Sequence, residues 1–229
     1  MSGTTNSTGV AILGSGIFAK EGESKQILNS LSPNIHHIVV TFTAHLPALK
    51  ALGSLAPALK AVYSRSKKSA SELAAEAVDL LHQKPEIYHD GDPSANLDTL
   101  LSRSDISTVI VVLPITLQPS IVLKALAAGK HVISEKPVAP DVVSGLKLIA
   151  TYEAEYKPKG LVWRVAENFE VEPGYTTAAE AIRVGKIGKV IFFSSRGVGC
   201  MDKESKWYKT PWRTVPDVSR SISLSDSTL

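Results

Sequence analysis

One cysteine, Cys200, stands among 229 residues, so an internal disulfide is excluded. A reducing, cytoplasmic setting is the expectation. No apolar run approaches the ~20 residues a membrane-spanning helix needs. The polar start Met1–Gly9 lacks the basic-then-apolar plan of a signal peptide. Aromatic residues make up only 6% of the chain, and charge is nearly balanced at +3. Neither a nucleic-acid nor a membrane partner is called for. What the chain does have is 44% hydrophobic residues, enough for the core of one large or two small domains.

Its most informative stretch is Val10-Ala11-Ile12-Leu13-Gly14-Ser15-Gly16-Ile17-Phe18-Ala19. Four apolar residues read as a buried strand, followed by a G-x-G-x-x-A turn into a helix. Gly14 permits the sharp turn, Gly16 lets backbone amides approach a pyrophosphate, and Ala19 allows close helix–strand packing. By itself the pattern also suits an ordinary turn. The remaining chain alternates strands and helices. Strands are expected at Ile38–Thr43, Leu59–Tyr63, around Tyr88, Thr108–Leu113, His131–Ser134, Leu161–Val165 and Lys189–Arg196. Helices are expected at Ala44–Leu49, Ser69–Leu81, Leu97–Leu101, Pro119–Ala128, Asp141–Tyr156 and Pro173–Val184. Thr108–Leu113 is apolar without interruption, which suits burial on both faces. The order predicts an α/β fold with a doubly wound parallel sheet, followed by an incomplete α/β second domain.

Ala127-Ala-Gly129-Lys-His-Val-Ile-Ser-Glu135-Lys136-Pro137 resembles the signature of the glucose–fructose oxidoreductase / inositol dehydrogenase / MocA family. The glycine turn before it and Arg183-Val-Gly185-Lys-Ile-Gly188-Lys-Val190 after it strengthen the resemblance, which runs from about Val10 to Asp217. The family implies a nucleotide domain, here 9–168, and a substrate and oligomerisation domain beginning at 169. It implies hydride transfer between NAD(P) and a sugar, polyol, aldehyde or diol carbon, and a homo-oligomeric full-length form. Lys136 matches the family lysine beside nicotinamide and substrate, where an ammonium assists proton movement at the reacting oxygen. Glu135 would orient it, and a cis Lys136–Pro137 bond would aim it into the cleft. Without the resemblance these three residues read as a strand-end turn with a solvated salt pair.

Cofactor contacts are expected from Gly14, Ser15, Gly16, Ile17, Phe18, Pro114, Thr116, Glu135 and Lys136. Ser64, Arg65 and Lys67 follow the second strand, where NAD enzymes place an acid. A hydroxyl and a guanidinium suit a 2′-phosphate, so NADP is expected, with NAD as the alternative. A solvated basic helix start is the competing reading. Arg164 and Asn168 are candidates for the substrate cleft, or for hydrogen bonding at the domain junction. His36-His37 has no third ligand at useful spacing, so no metal site is expected. The family also contains galactose-pathway repressors that bind the dinucleotide without turnover, and Lys136 argues against that role here.

Two segments depart from the family pattern. Residues 22–43 separate Glu21 from Ala44, and removing them brings Ser64 from 50 to 28 positions after Gly14. Gly22-Glu23-Ser24 and Val218-Ser219 can be encoded with splice-donor sequences, and Thr43-Ala44 with an acceptor. Residues 22–43 and the tail 218–229 are therefore read as translated introns. On that reading the chain is truncated, its second domain is incomplete and its catalysis is weak or absent, with an inactive fragment as the alternative.

Overall fold

A computed structural model of the chain describes residues 9–15, 45–194, 196, 202 and 204. The chain divides into two compact units, Met1–Ala166 and Glu167–Leu229.

The first unit is built on six strands: β1 (Gly9–Leu13), β2 (Leu59–Ser64), β3 (Glu86–His89), β4 (Ile106–Val111), β5 (His131–Ser134) and β6 (Trp163–Val165). All pair in parallel, in the order β3-β2-β1-β4-β5-β6. β1 lies between β2 and β4, with Ile12 opposite Val62 on one side and Ile110 on the other. Alternation along β1 sorts its side chains between two cores. Val10 and Ile12 join Leu46, Leu49, Leu73 and Ala77 from helices α1 (His45–Leu52) and α2 (Lys67–Leu81). Ala11 and Leu13 join Leu97, Leu100, Val122, Leu126 and Leu148 on the other face. That face carries α3 (Leu97–Leu101), α4 (Gln118–Ala127) and α5 (Val142–Thr151). Val109 and Val111 of β4 face the second core and Ile110 the first. The unbroken apolar run is therefore needed, because both faces are covered.

Local signals fix the helix starts. Ser66 caps α2 by accepting from Ser69 N, Asn96 caps α3 through Thr99 N, and Asp141 caps α5 through Ser144 N. The helix expected over Asp141–Tyr156 is α-helical only to Thr151 and continues as a wider π-helical turn over Tyr152–Tyr156. At that point Tyr152 meets the Trp163 ring edge-on at 5.5 Å, and its hydroxyl donates to Leu161 O. The expected strand at Ile38–Thr43 lies outside the described residues.

In the second unit, α6 (Pro173–Arg183) follows a short turn at Phe169–Val171, with Phe169 edge-on to Tyr175. The strand expected at Lys189–Arg196 is not formed among the described residues there. Val190-Ile-Phe-Phe193 has strand-like composition, but a strand needs a ladder partner and no described strand pairs with it. Ile191 is 90% exposed.

Candidate active site

In a parallel sheet with this order, β1 and β4 are the switch point where successive crossovers leave in opposite directions. The loops beyond the carboxyl ends of the strands open there, and they carry most of the expected site residues of the first unit. After β1, Gly14 has φ +107° and donates its N–H to Tyr63 O at 2.7 Å. A Cβ on Gly14 would stand 2.0 Å from Val112 O, so the glycine is required by the approach of the β4 backbone. Ser15 Oγ lies 3.0 Å from Ser64 Oγ, joining the glycine turn to the buried end of β2. Gly16, Ile17 and Phe18 lie outside the described residues.

Beyond Ser64, Arg65 and Lys67 are exposed at the start of the 15-residue helix α2. Neither has an ion-pair partner among the described residues. The neighbouring Tyr63 hydroxyl donates to Asp90 at the end of β3 at 2.5 Å. Burial first, and the Asp90 carboxylate second, hold that phenol well above its ordinary value. Pro114 follows β4, and its carbonyl accepts from Leu117 N and Gln118 N, opening the turn into α4. Thr116 is exposed within that turn.

After β5 the chain makes the turn Glu135-Lys136-Pro137, with the Lys136–Pro137 bond cis. Lys136 is exposed and has no hydrogen bond or ion pair among the described residues. Its neighbours are held. Glu135 Oε1 accepts from His45 Nε2 at 2.8 Å, with both side chains nearly buried. A carboxylate oxygen accepts, which assigns the donor role in this bond to Nε2. Gln118, 1% exposed at the start of α4, donates Nε2–H to Pro137 O at 3.2 Å. Its Oε1 has no partner among the described residues. Glu135 is expected to orient Lys136; among the described residues its carboxylate pairs with His45 and makes no hydrogen bond or ion pair with the lysine.

The two substrate candidates are placed differently. Arg164 is exposed in the middle of the edge strand β6, opposite Ile133. Asn168 belongs to the second unit, where its Nδ2 donates to Glu172 Oε1 at 2.8 Å. Among the described residues no group of three or more His, Cys, Asp or Glu could hold a metal, and no helix is long and apolar enough to cross a membrane.

Sequence reasoning missed His45 and Gln118. No local spacing links them to the turn, since His45 lies 90 residues from Glu135. Lys130, also missed, is 6% exposed and donates to Arg103 O and Ile106 O at 2.5 and 2.8 Å.

An all-parallel sheet in this order, with a glycine turn at its switch point, defines a dinucleotide-binding domain of the Rossmann type. The family model described as oxidoreductase family, NAD-binding Rossmann fold, matches residues 8–158. The chain belongs to this Gfo/Idh/MocA family. It is 38% identical over 219 residues to the dehydrogenase FPY6 of Fusarium mangiferae, covering 94% of this chain and 54% of that protein. It is 32% identical over 133 residues to a levoglucosan dehydrogenase of Pseudarthrobacter phenanthrenivorans, covering 56% of this chain and 32% of that one. Among solved structures, an oxidoreductase of Thermotoga maritima matches with TM-score 0.64 at 28% identity, over 90% of this chain and 52% of that chain. The chain spans about half the length of the first curated relatives it matches.

Proposed function

We propose that the whole protein is an oxidoreductase that moves a hydride between NADP(H) and a carbon of a sugar-like, polyol, aldehyde or diol substrate. One observation carries this reading: Lys136, at the carboxyl end of β5, has no partner among the described residues while both neighbours are tied down. The family and the levoglucosan dehydrogenase relative support the reaction class and a sugar-like substrate.

The residues present suit a phosphorylated dinucleotide. Gly14 turns β1 sharply, the Ser15 and Ser64 hydroxyls face one another, and no acid follows β2. Arg65 and Lys67, beside the amino end of α2, offer charge to a 2′-phosphate that an NAD-type acid would repel. The dinucleotide, when bound, supplies or accepts the hydride. In the reducing direction the Lys136 ammonium donates a hydrogen bond and then its proton to the substrate oxygen, and in the oxidising direction the neutral amine accepts the hydroxyl proton. Arg164 and Asn168 belong to this proposal as substrate contacts of the whole protein.

The test follows nicotinamide absorbance with NADP⁺ and a sugar panel beginning with levoglucosan, beside NADPH fluorescence titration. Lys136→Met is expected to lower turnover by about 10²- to 10⁴-fold with NADPH affinity kept. Unchanged turnover removes Lys136 from the chemistry, and absence of a saturable NADPH signal removes the cofactor assignment.

A further inference from the structure

The turn carrying Lys136 is anchored to both helical layers. Gln118, the first residue of α4 on one face of the sheet, holds Pro137 O. His45, the first residue of α1 on the other face, holds the Glu135 carboxylate. Glu135 is the nearest acid to Lys136 along the chain, and a carboxylate within a few ångströms of an ammonium attracts it. Here Glu135 is engaged. The imidazole N–H favours the carboxylate where it lies.

We propose that His45 is a positioning residue that keeps Glu135 away from Lys136 and so leaves the ammonium free for the substrate oxygen. The inference rests on reading Lys136 as the group that handles that oxygen. It adds that the freedom of the lysine is built into the chain's own contacts. Glu135 then has a structural use that needs no contact with substrate: it ties the end of β5 to α1. Removing His45 releases the carboxylate onto its neighbour, and removing the carboxylate as well frees the lysine again.

The readout is competitive labelling of Lys136 by acetic anhydride in the cofactor-free full chain, with peptide mass spectrometry and exposed Lys147 as internal standard. Only the neutral amine reacts, and a neighbouring carboxylate favours the charged form. A carboxylate brought beside the amine lowers its labelling rate about three- to tenfold. The wild type labels Lys136 at a rate comparable to Lys147. His45→Leu lowers the ratio by about three- to tenfold, and His45→Gln, which keeps a donor at the Nε2 position, restores it. Adding Glu135→Gln to His45→Leu restores it as well. Relief by a second substitution is a result that simple loss of packing does not produce. His45→Asn, whose amide is too short to span the gap, behaves as His45→Leu and serves if the leucine variant does not fold. An unchanged ratio in the Leu and Asn variants, or failure of Glu135→Gln to restore it, overturns the proposal. Neither result touches the role of Lys136, which stands or falls on turnover by Lys136→Met.

Discussion

Replacing Gly14 by alanine should damage the nucleotide domain through the backbone of β4, before any ligand is considered. At φ +107° an L-residue is strained, and sparsely populated backbone regions cost about 1–3 kcal/mol. The added Cβ would also stand 2.0 Å from Val112 O and 2.7 Å from Val112 C, with Leu113 Cδ2 at 3.1 Å. Two of those atoms are backbone, fixed by the bond from Val112 N to Leu13 O, so little can yield locally. Overpacking of this kind adds about 1–3 kcal/mol. A total near ~4 kcal/mol corresponds to a fall in Tm of about 8–16 °C for a domain of this size.

The control is Gly53→Ala. Gly53 also has positive φ, +54°, but a Cβ there meets nothing within 4 Å. It isolates the backbone cost, partly offset by a less flexible unfolded chain, and is expected to lower Tm by about 2–4 °C. Thermal unfolding of both variants by circular dichroism, without cofactor, decides the matter. Melting of the two variants at the same temperature would refute the close approach of Gly14 to Val112.

Two other substitutions probe side chains near the site. Tyr63 is held neutral by burial and by Asp90, so the unfolded chain releases this proton first as pH rises. Stability therefore falls with pH above about 10 in the wild type, and Tyr63→Phe removes that part of the slope in Tm measured from pH 8 to 11. Gln118→Met trades one hydrogen bond for relief of a buried oxygen that has no partner among the described residues. The two effects nearly cancel, so Tm should move by no more than ~3 °C, and a fall several times larger in the melting curve would show that the Pro137 tether dominates.

How much of this was legible in the sequence depended on how local the cause was. β5 and α3 fall where expected because each is bounded by a local signal: Gly129 with φ +75° ahead of β5, and the Asn96 cap ahead of α3. The double winding was legible because Val109 to Val112 run without a polar residue and feed the two cores alternately. Val190-Ile-Phe-Phe193 misled because composition shows what a strand would contain and says nothing about who pairs with it. The Glu135-Lys136-Pro137 turn was legible only through resemblance. The side chains that fix it are invisible to any pattern, because His45 and Gln118 approach from different helices and make one hydrogen bond each.

The two ends of the sheet treat charge in opposite ways, and that contrast separates stability from function. At the amino ends of β3 and β4, Arg103 forks onto Asp105 at 2.9 and 2.8 Å and reaches Glu86 and the Tyr88 hydroxyl. The guanidinium holds the Asp105 carboxyl below its usual range. Lys130 completes the network by donating to two carbonyls. At the carboxyl ends, Arg65, Lys67 and Lys136 have no partner among the described residues. Charges that stabilise a fold are matched within it, whereas charges kept for a ligand are matched only when it binds. Lys130→Met should therefore cost about 2 kcal/mol, lowering Tm by about 4–8 °C, with NADPH affinity unchanged. Arg65→Ala should leave Tm alone and weaken NADPH binding by about 10- to 100-fold while NADH binding barely moves. Fluorescence titration and thermal unfolding of the two variants read both quantities. Equal loss of NADPH and NADH affinity in Arg65→Ala would place the guanidinium away from the 2′-phosphate, and a loss of affinity in Lys130→Met would break the division between the two edges.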